Sequence, residues 1–374
     1  MQGVELSPGT LIGRLASRAA CLGSRTFLVD AATGAAMGFD EALDLAGRAA
    51  AGLTRLGTRR GDRVAFVLRD GPEVLLSLLA VSELGACAVF LDPGLSPGRR
   101  KDALRVLGPK LIIEADAAAR LLRGRRPKAS ASKDRGRPGD PAVVFRGIPV
   151  CARSQWVVHT QGSLLAGAAA LAERFASLGR GSEWCLWPAG SYFGLLDAVC
   201  ALQRGGRVVL GGWSPAAAEQ LQAACLDLPL PVLSSFSGGG ARARRPPEGL
   251  RWVRCSGGPV PERAAQGLER SSGIPVVALF GGPLWGPVAS TQPSLGARKS
   301  GCVGLPLHGC DLAVFDRSGR RSRPGQPGEI AVRSAGQGTL LFDGRASSAH
   351  AWRRTGVRGA LDRDGELHLL RRSG

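Results

Sequence analysis

The sequence predicts an α/β protein with two parallel-sheet subdomains and a smaller β-rich module. Short apolar strands alternate with amphipathic helices along residues 39–114, and the alternation returns after residue 141. From residue 301 onward, short strands follow one another between glycine, proline and aspartate. Alternating strands and helices form parallel sheets with right-handed crossovers, whereas closely spaced strands form meanders.

The first α/β subdomain is predicted over residues 1–121. Apolar residues recur at three- and four-residue steps over 39–57, which predicts a helix with Asp40 as its N-cap. Further helices are predicted to begin at Pro72 and near Pro97. Strands are expected at 63–68, 87–91 and 111–114.

The remaining chain divides into three segments. Residues 122–140 are basic and rich in small residues, which predicts a linker loop. The second α/β subdomain is expected over 141–300, with strands at 141–145 and 207–210 and a helix at 163–178. The β-rich module is expected over 301–374, where DLAVFD, GEIAVRS and ELHLL are strand-like.

The net charge of +19 is strong enough to raise the question of a polyanion partner. Arginine is spread along the whole chain, whereas nucleic-acid binders concentrate charge in one patch. This pattern favours arginines that lie in solvent and that result from biased, GC-rich codon usage. No specific nucleic-acid partner is therefore expected. A basic polyanion- or protein-binding module that uses the arginine-rich stretches 123–126 and 242–245 stays open as an alternative.

Cysteine and histidine usage predicts no metal site. The nine cysteines form no CxxC pair, and their number is odd, which favours reduced thiols over disulfides. The four histidines lack ligand spacing. Neither a signal peptide nor a membrane span is apparent, so a cytoplasmic location is expected.

Five segments in order resemble AMP-forming acyl-CoA synthetases, the acyl-adenylate-forming superfamily. They are residues 39–91, WVVHTQGSLLAGAAALAERF at 156–175, CSGGPVPERAAQGLERSSGIPVVALFG at 255–281, 301–334 and 355–374. The resemblance implies two α/β subdomains and a small distorted β-barrel, together making the large N-terminal domain over 1–374. It also implies that the small C-terminal lid domain is absent, with its hinge at Ser373-Gly374.

The resemblance implies a two-step ligase reaction. A carboxylate attacks ATP to give an acyl-adenylate and pyrophosphate, and a thiol, usually of CoA, then takes the acyl group. ATP or AMP, Mg²⁺ and CoA are therefore cofactors by family analogy only, and this chain is expected to require none. A role in fatty acid metabolism is expected on the same ground.

The family's phosphate loop, TSGTTG-x-PKG, is degenerate here. Its counterpart runs from Gly147 to Trp156 and has lost the ladder of hydroxyls. Gln155 stands in place of the lysine, while Arg153 still offers a cation and Ser154 a hydroxyl. The alternative is an ordinary turn between a strand and a helix.

Two further family motifs have lost their charged groups. The family's YGxTE corresponds to Phe280–Leu284, so an apolar side chain replaces the carboxylate that binds Mg²⁺. The family's TGD corresponds to Thr355-Gly356-Val357, so valine replaces the aspartate that holds the ribose hydroxyls in the family. No catalytic residue is therefore assigned.

The residues that remain imply a vestigial binding site. By resemblance, the nucleotide side comprises Gly257, Gly258, Pro259, Phe280, Gly281 and Arg372, and the acyl pocket comprises Tyr192, Phe193 and Gly194. The alternative for the glycine pair is a tight strand-to-helix turn. The sequence thus predicts a degenerate synthetase that binds a nucleotide or acyl ligand weakly, or acts through an unknown protein partner. An active ligase with its lid supplied in trans stays open.

Overall fold

The computed structural model describes residues 9–125, 136–147, 156–176, 181–212, 223–237, 249–291, 299, 301–341 and 352–370. The helices are α1 (Leu11–Leu22), α2 (Phe39–Arg55), α3 (Pro72–Glu83), α4 (Pro97–Leu107), α5 (Ala115–Leu122), α6 (Gln161–Arg174), α7 (Tyr192–Arg204), α8 (Leu230–Ser237) and α9 (Glu262–Ser272). The first twelve strands are β1 (Thr26–Asp30), β2 (Ala36–Gly38), β3 (Arg63–Val67), β4 (Cys87–Leu91), β5 (Leu111–Glu114), β6 (Pro141–Arg146), β7 (Trp156–Thr160), β8 (Ser182–Cys185), β9 (Arg207–Leu210), β10 (Cys225–Pro229), β11 (Trp252–Ser256) and β12 (Val276–Gly282). The others are β13 (Gly286–Ser290), β14 (Cys302–Pro306), β15 (Cys310–Phe315), β16 (Gly328–Ser334), β17 (Thr339–Leu340), β18 (Arg353–Leu361) and β19 (Leu367–Leu369).

The strands form two sheets. The smaller has the order β17-β7-β6-β4-β3-β5, and its neighbours from β6 to β5 are parallel. The larger has the order β15-β16-β18-β19-β14-β13-β12-β11-β10-β8-β9-β1-β2. Its strands are parallel from β12 to β1 and antiparallel from β13 to β15. The predicted fold class, parallel α/β followed by a β-rich module, is confirmed.

The sheets do not divide at the predicted subdomain boundaries. Strands β6 and β7 follow residue 140 but extend the smaller sheet, and β1 and β2 come early in the chain but lie at the edge of the larger one. An apolar run predicts a buried strand without specifying which sheet it joins, because crossovers can return to either one. The predicted boundary between 121 and 141 therefore does not coincide with the border between the sheets, and residues 126–135 of the predicted linker loop lie outside the described residues.

The largest apolar core joins the two sheets through helices. It includes Phe66 of β3 and Val143 of β6 from one sheet, and Val208 of β9 from the other, together with buried side chains of α1, α2, α3, α6 and α7. Among the helices that the structure describes, none is long and apolar enough to cross a membrane.

Helix α2 begins at a different cap from the one predicted. Its N-cap is Gly38, while Asp40 lies in the first turn, where its carboxylate accepts a hydrogen bond from the Glu41 N–H. Acidic residues are favourable in a first turn because the helix dipole is positive there. The prediction of Asp40 as the cap was wrong by two positions, and the helix itself was predicted correctly.

Candidate functional site

A cleft of ≈ 1170 Å³ lies between the two sheets and the β-rich module. Its walls come from the start of α7, the turn after β11, the β12–β13 hairpin, β18 and the end of β19. Most of the site residues predicted from the sequence meet here, namely Tyr192, Phe193, Gly257, Gly258, Pro259, Phe280 and Gly281.

The charged groups of the cleft are all cationic among the described lining residues. Arg146 and Arg358 line it, and no aspartate or glutamate does within that part of the chain. Hard divalent cations need oxygen ligands, chiefly carboxylates. The described walls therefore favour an anionic ligand with an apolar body and provide no carboxylate for a magnesium ion.

The turn after β11 brings backbone to the cleft wall. Gly257 has φ +97, and a Cβ added there would lie 3.2 Å from the indole of Trp187. The Trp187 Nε1–H donates to the hydroxyl of Ser256 at 3.0 Å. The positive φ favours glycine at this position, and the nearby indole would crowd a Cβ.

Phe280 is more enclosed than the sequence suggested. It is 8% exposed and stacks on Trp285, with ring centroids 5.9 Å apart. One face of the phenyl ring is therefore covered, and a planar ligand could use only the other. The neighbouring Gly281 allows the hairpin to close, since a Cβ there would lie 2.5 Å from the carbonyl oxygen of Gly286.

The acyl side is built from packed aromatic rings. Tyr192 lies 5.4 Å from the ring of Phe145, 5.2 Å from His159 and 5.3 Å from Phe193. Gly194, predicted to belong to this pocket, is not among the residues that line the cleft. A Cβ at Gly194 would lie 2.2 Å from the Pro188 carbonyl oxygen, so this glycine allows α7 to begin against a turn.

His159 and Tyr192 are neutral near pH 7. Burial lowers the pKa of His159 to about 4, and burial raises the pKa of Tyr192 well above its ordinary value. His159 Nδ1 lies 3.1 Å from the hydroxyl of Ser163, and Nε2 bonds the carbonyl oxygen of Pro283. These contacts make His159 a structural link between α6 and the hairpin rather than a general base.

A buried ionic cluster lies beneath the cleft. Arg254 of β11 bonds Asp227 of β10 at 2.8 Å and also bonds Asp197 of α7, and it lies 3.7 Å from Glu183 of β8. Glu183 also pairs with Arg204 at 3.0 Å. Arg254 and the three carboxylate side chains are 0% exposed. The cluster ties α7, which carries Tyr192 and Phe193, to the strand that leads into Gly257.

Burial has a clear electrostatic consequence for this cluster. It raises the pKa of Asp197 well above its ordinary value, and the neighbouring carboxylates of Asp227 and Glu183 act in the same direction, against the attraction of Arg254. No sequence motif marked this cluster, although Glu183, Asp197 and Asp227 each lie inside an apolar run, where a charged residue is unusual.

A family model described as AMP-binding enzyme matches residues 15–141 and 156–340. The chain belongs to that family. The match leaves out 142–155, which contains most of the counterpart of the family's phosphate loop. The resemblance predicted from the five segments is therefore confirmed at the level of the family.

Curated relatives in the AMP-binding family include two acid–CoA ligases. The chain is 25% identical to 2-succinylbenzoate–CoA ligase of Bacillus velezensis over 339 residues, covering 84% of this chain and 68% of that protein. It is 27% identical to feruloyl-CoA synthase of an Amycolatopsis species over 375 residues, covering 91% of this chain and 74% of that protein.

Two solved structures share the fold of this chain. The inhibitor-bound N-terminal domain of FACL13 from Mycobacterium tuberculosis superposes with a TM-score of 0.86 at 20% identity, covering 97% of this chain and 99% of that chain. O-succinylbenzoate coenzyme A synthetase from Bacillus subtilis in complex with AMP superposes with a TM-score of 0.84 at 22% identity, covering 96% and 78%. At these identities the superpositions establish the fold alone.

The positions that correspond to the family's phosphate side are partly described. Gly147 is buried just after β6, whereas Arg153, Ser154 and Gln155 lie outside the described residues. In the hairpin, Pro283 lines the cleft, and Leu284 packs against the apolar cluster of the β-rich module. Leu284 is thus part of a packed apolar surface.

The turn at Thr355–Val357 carries a hydroxyl, and a carboxylate lies beside it, since Glu329 Oε1 accepts from the Gly356 N–H at 3.1 Å. Thr355 is 1% exposed, and its hydroxyl donates to the Ile330 carbonyl at 2.8 Å while it accepts from the Val357 N–H at 3.1 Å. Val357 lines the cleft, and Arg372 lies outside the described residues. The turn is therefore well ordered by Thr355, although the family's aspartate is absent from it.

Proposed function

We propose that this chain is a ligand-binding member of the AMP-binding family that does not form acyl-adenylates. One observation carries the proposal: the described lining of the cleft has two arginines and no carboxylate. An apolar cleft with a few polar groups is the usual form of a small-molecule site. The described walls thus keep a place for a small molecule and offer no carboxylate that would hold Mg²⁺.

The substitutions together argue against adenylation. Leu284 replaces a metal-binding carboxylate, Val357 replaces the ribose aspartate, and the segment 147–156 lacks the lysine and the hydroxyl ladder. Removing one preorganised donor at a charged transition state costs about 3 kcal/mol, or a factor of 10²–10³ in rate. Such losses do not add simply, but several of them together remove measurable activity.

The ligand class follows from the walls of the cleft. Tyr192, Phe193 and Trp285 offer aromatic surface, and the guanidinium groups of Arg146 and Arg358 favour an anion. The proposed ligand is an acyl carboxylate or an adenylate with an apolar acyl group, bound without metal. Location in the cytoplasm and a place in fatty acid metabolism stay predictions.

Calorimetry with a non-hydrolysable acyl-adenylate mimic tests this proposal. We expect binding whose affinity is the same with and without Mg²⁺. Arg358→Gln should weaken it between about tenfold and about 150-fold, since a hydrogen bond to a charged group contributes about 1.5–3 kcal/mol. The matched control is Arg263→Gln, an exposed position on α9 away from the cleft. No binding at all, or binding that requires Mg²⁺, would reject the proposal.

The rival function is acid–CoA ligation, the activity named for both curated relatives described above. It would require groups within 148–155 to replace the missing lysine and hydroxyls. The two proposals are separated by assaying acyl-CoA formation from ATP, CoA and the acid on which the mimic is based. The ligand-binding proposal predicts no acyl-CoA product.

A further inference from the structure

The hydroxyl of Tyr192 is a buried polar group on the wall of the cleft. Tyr192 is the first residue of α7, it is 4% exposed, and it lines the cleft. Within the part of the chain that the structure describes, no residue forms a hydrogen bond with its hydroxyl. Buried polar groups of proteins are nearly always hydrogen-bonded, so an unpartnered one beside a cavity points to a ligand.

Aromatic packing fixes the orientation of the Tyr192 ring. It meets the ring of Phe145 at 89° and the ring of Phe193 at 68°, with centroids 5.4 and 5.3 Å apart. Both are edge-to-face arrangements, which aromatic pairs favour. Because the ring is already held in place, a ligand that bonds its hydroxyl loses little affinity to the ordering of this side chain.

The polar ring that packs against Tyr192 is already engaged elsewhere. The centroid of His159 lies 5.2 Å from that of Tyr192. However, its Nδ1 lies 3.1 Å from the hydroxyl of Ser163, and its Nε2 bonds the carbonyl oxygen of Pro283. Both ring nitrogens of His159 therefore have other partners, and the imidazole does not satisfy the phenol.

Tyr192 lies where two cavities meet. Besides the cleft, it lines a second cavity of ≈ 520 Å³ between α4, the ends of β4 and β6, and the start of α7. Arg146 and Ser191 also line both cavities. A molecule in the cleft can therefore reach the side chain of Tyr192 although little of it is exposed.

The phenol keeps its proton near pH 7, because burial raises the pKa of Tyr192 well above its ordinary value. A protonated phenol can donate a hydrogen bond to an oxygen atom. A ligand with an oxygen at this place would satisfy the hydroxyl. A ligand with a methyl group there would leave a buried donor without a partner, which is unfavourable.

We propose that Tyr192 selects the acyl group of the bound ligand by donating a hydrogen bond to an oxygen substituent on it, either a hydroxyl or a carbonyl oxygen. The inference rests on the proposed function, since it names the class of acyl group that the cleft takes. A site that bonds a substrate oxygen rejects the analogue without it more strongly than an apolar pocket rejects an extra methylene. Tyr192 is thus a specificity residue of the cleft.

Calorimetry with matched acyl sulfamoyl adenosines, which mimic acyl-adenylates, tests this selection. The acyl groups are meta- and para-hydroxybenzoyl and acetylbenzoyl, each compared with its methyl or isopropyl analogue of similar shape. We expect the wild type to bind at least one oxygen-bearing mimic about fivefold to about 150-fold more tightly than its hydrocarbon analogue, the factor for leaving a buried donor unpaired. The matched control is Ser272→Ala, which removes a hydroxyl that bonds Leu268 on α9 and should keep the preference.

Tyr192→Phe keeps the ring and removes only the hydroxyl. In this variant the oxygen-bearing and hydrocarbon mimics should bind within about twofold of each other, because the donor that distinguishes them is gone. Equal affinities of both classes in the wild type would overturn this inference and leave the proposed function standing. A preference that persists in Tyr192→Phe would also overturn it, whereas no binding of any mimic to the wild type would reject the proposed function as well.

Discussion

Arg254 is the cation that holds the buried carboxylates beneath the cleft, and its replacement by methionine tests that role. Methionine fills a similar volume without charge or donors. In the variant, Asp227 and Asp197 would lose their bonds to the guanidinium, and Glu183 would keep only Arg204. Removing one partner of a buried ion pair costs about 3–5 kcal/mol because a charge is left uncompensated.

Urea unfolding at pH 7 measures the effect. We expect Arg254→Met to lower the unfolding free energy by about 3–5 kcal/mol. The matched control is Arg48→Met, which breaks a surface pair with Asp44 whose side chains are 38% and 43% exposed. Exposed pairs of this spacing contribute about 0.3–0.5 kcal/mol, so the control should be nearly neutral.

A double variant separates charge from packing. Adding Asp227→Asn to Arg254→Met removes a buried carboxylate that has lost its guanidinium partner, so the double variant should recover part of the lost stability. A loss below about 1 kcal/mol for Arg254→Met would show that the cluster is not what orders these strands. No recovery in the double variant would show that the loss comes from packing alone.

Three further predictions concern the walls of the cleft. Burial lowers the pKa of His159 to about 4, so as the pH falls below about 6.5 the unfolded chain binds a proton that the folded chain does not. The wild type should therefore lose about 3 kcal/mol of unfolding free energy between about pH 6.5 and 4, and His159→Gln should remove this loss in urea unfolding across that range. Gly194→Ala should cost about 1–3 kcal/mol by overpacking, whereas Gly98→Ala, where a Cβ meets nothing within 4 Å, should not destabilise; equal thermal shifts would contradict this. Val357→Asp should tighten AMP binding at least about tenfold in calorimetry by adding hydrogen bonds to a charged group, and Val357→Asn should do less; an unchanged affinity would show that the ribose does not lie there.

The alternation of strands and helices in the sequence was enough to predict the fold class and most elements. Strands at Arg63–Val67, Cys87–Leu91 and Leu111–Glu114 lie where apolar runs predicted them. Which sheet a strand joins could not be predicted, because the pattern of β6 and β1 shows burial and not partners. That choice depends on how helices pack between the two sheets.

The motifs named residues that the structure brings together. Gly257, Gly258 and Phe280, which the resemblance assigned to a nucleotide site, line one cleft, and their role there stays a prediction. The aromatic cover on Phe280 and the structural role of Gly194 depend on long-range packing, which a motif does not contain.

Acid-dependent exchange of labelled pyrophosphate into ATP tests most directly whether the chain forms adenylates. A panel of short-chain, medium-chain and aromatic acids should give no exchange above background, with or without Mg²⁺, since Leu284 offers no metal ligand and Gln155 offers no charge to the phosphates. Val357→Asp should leave this result unchanged. Exchange above background by the unmodified chain with any of these acids would contradict the proposed function.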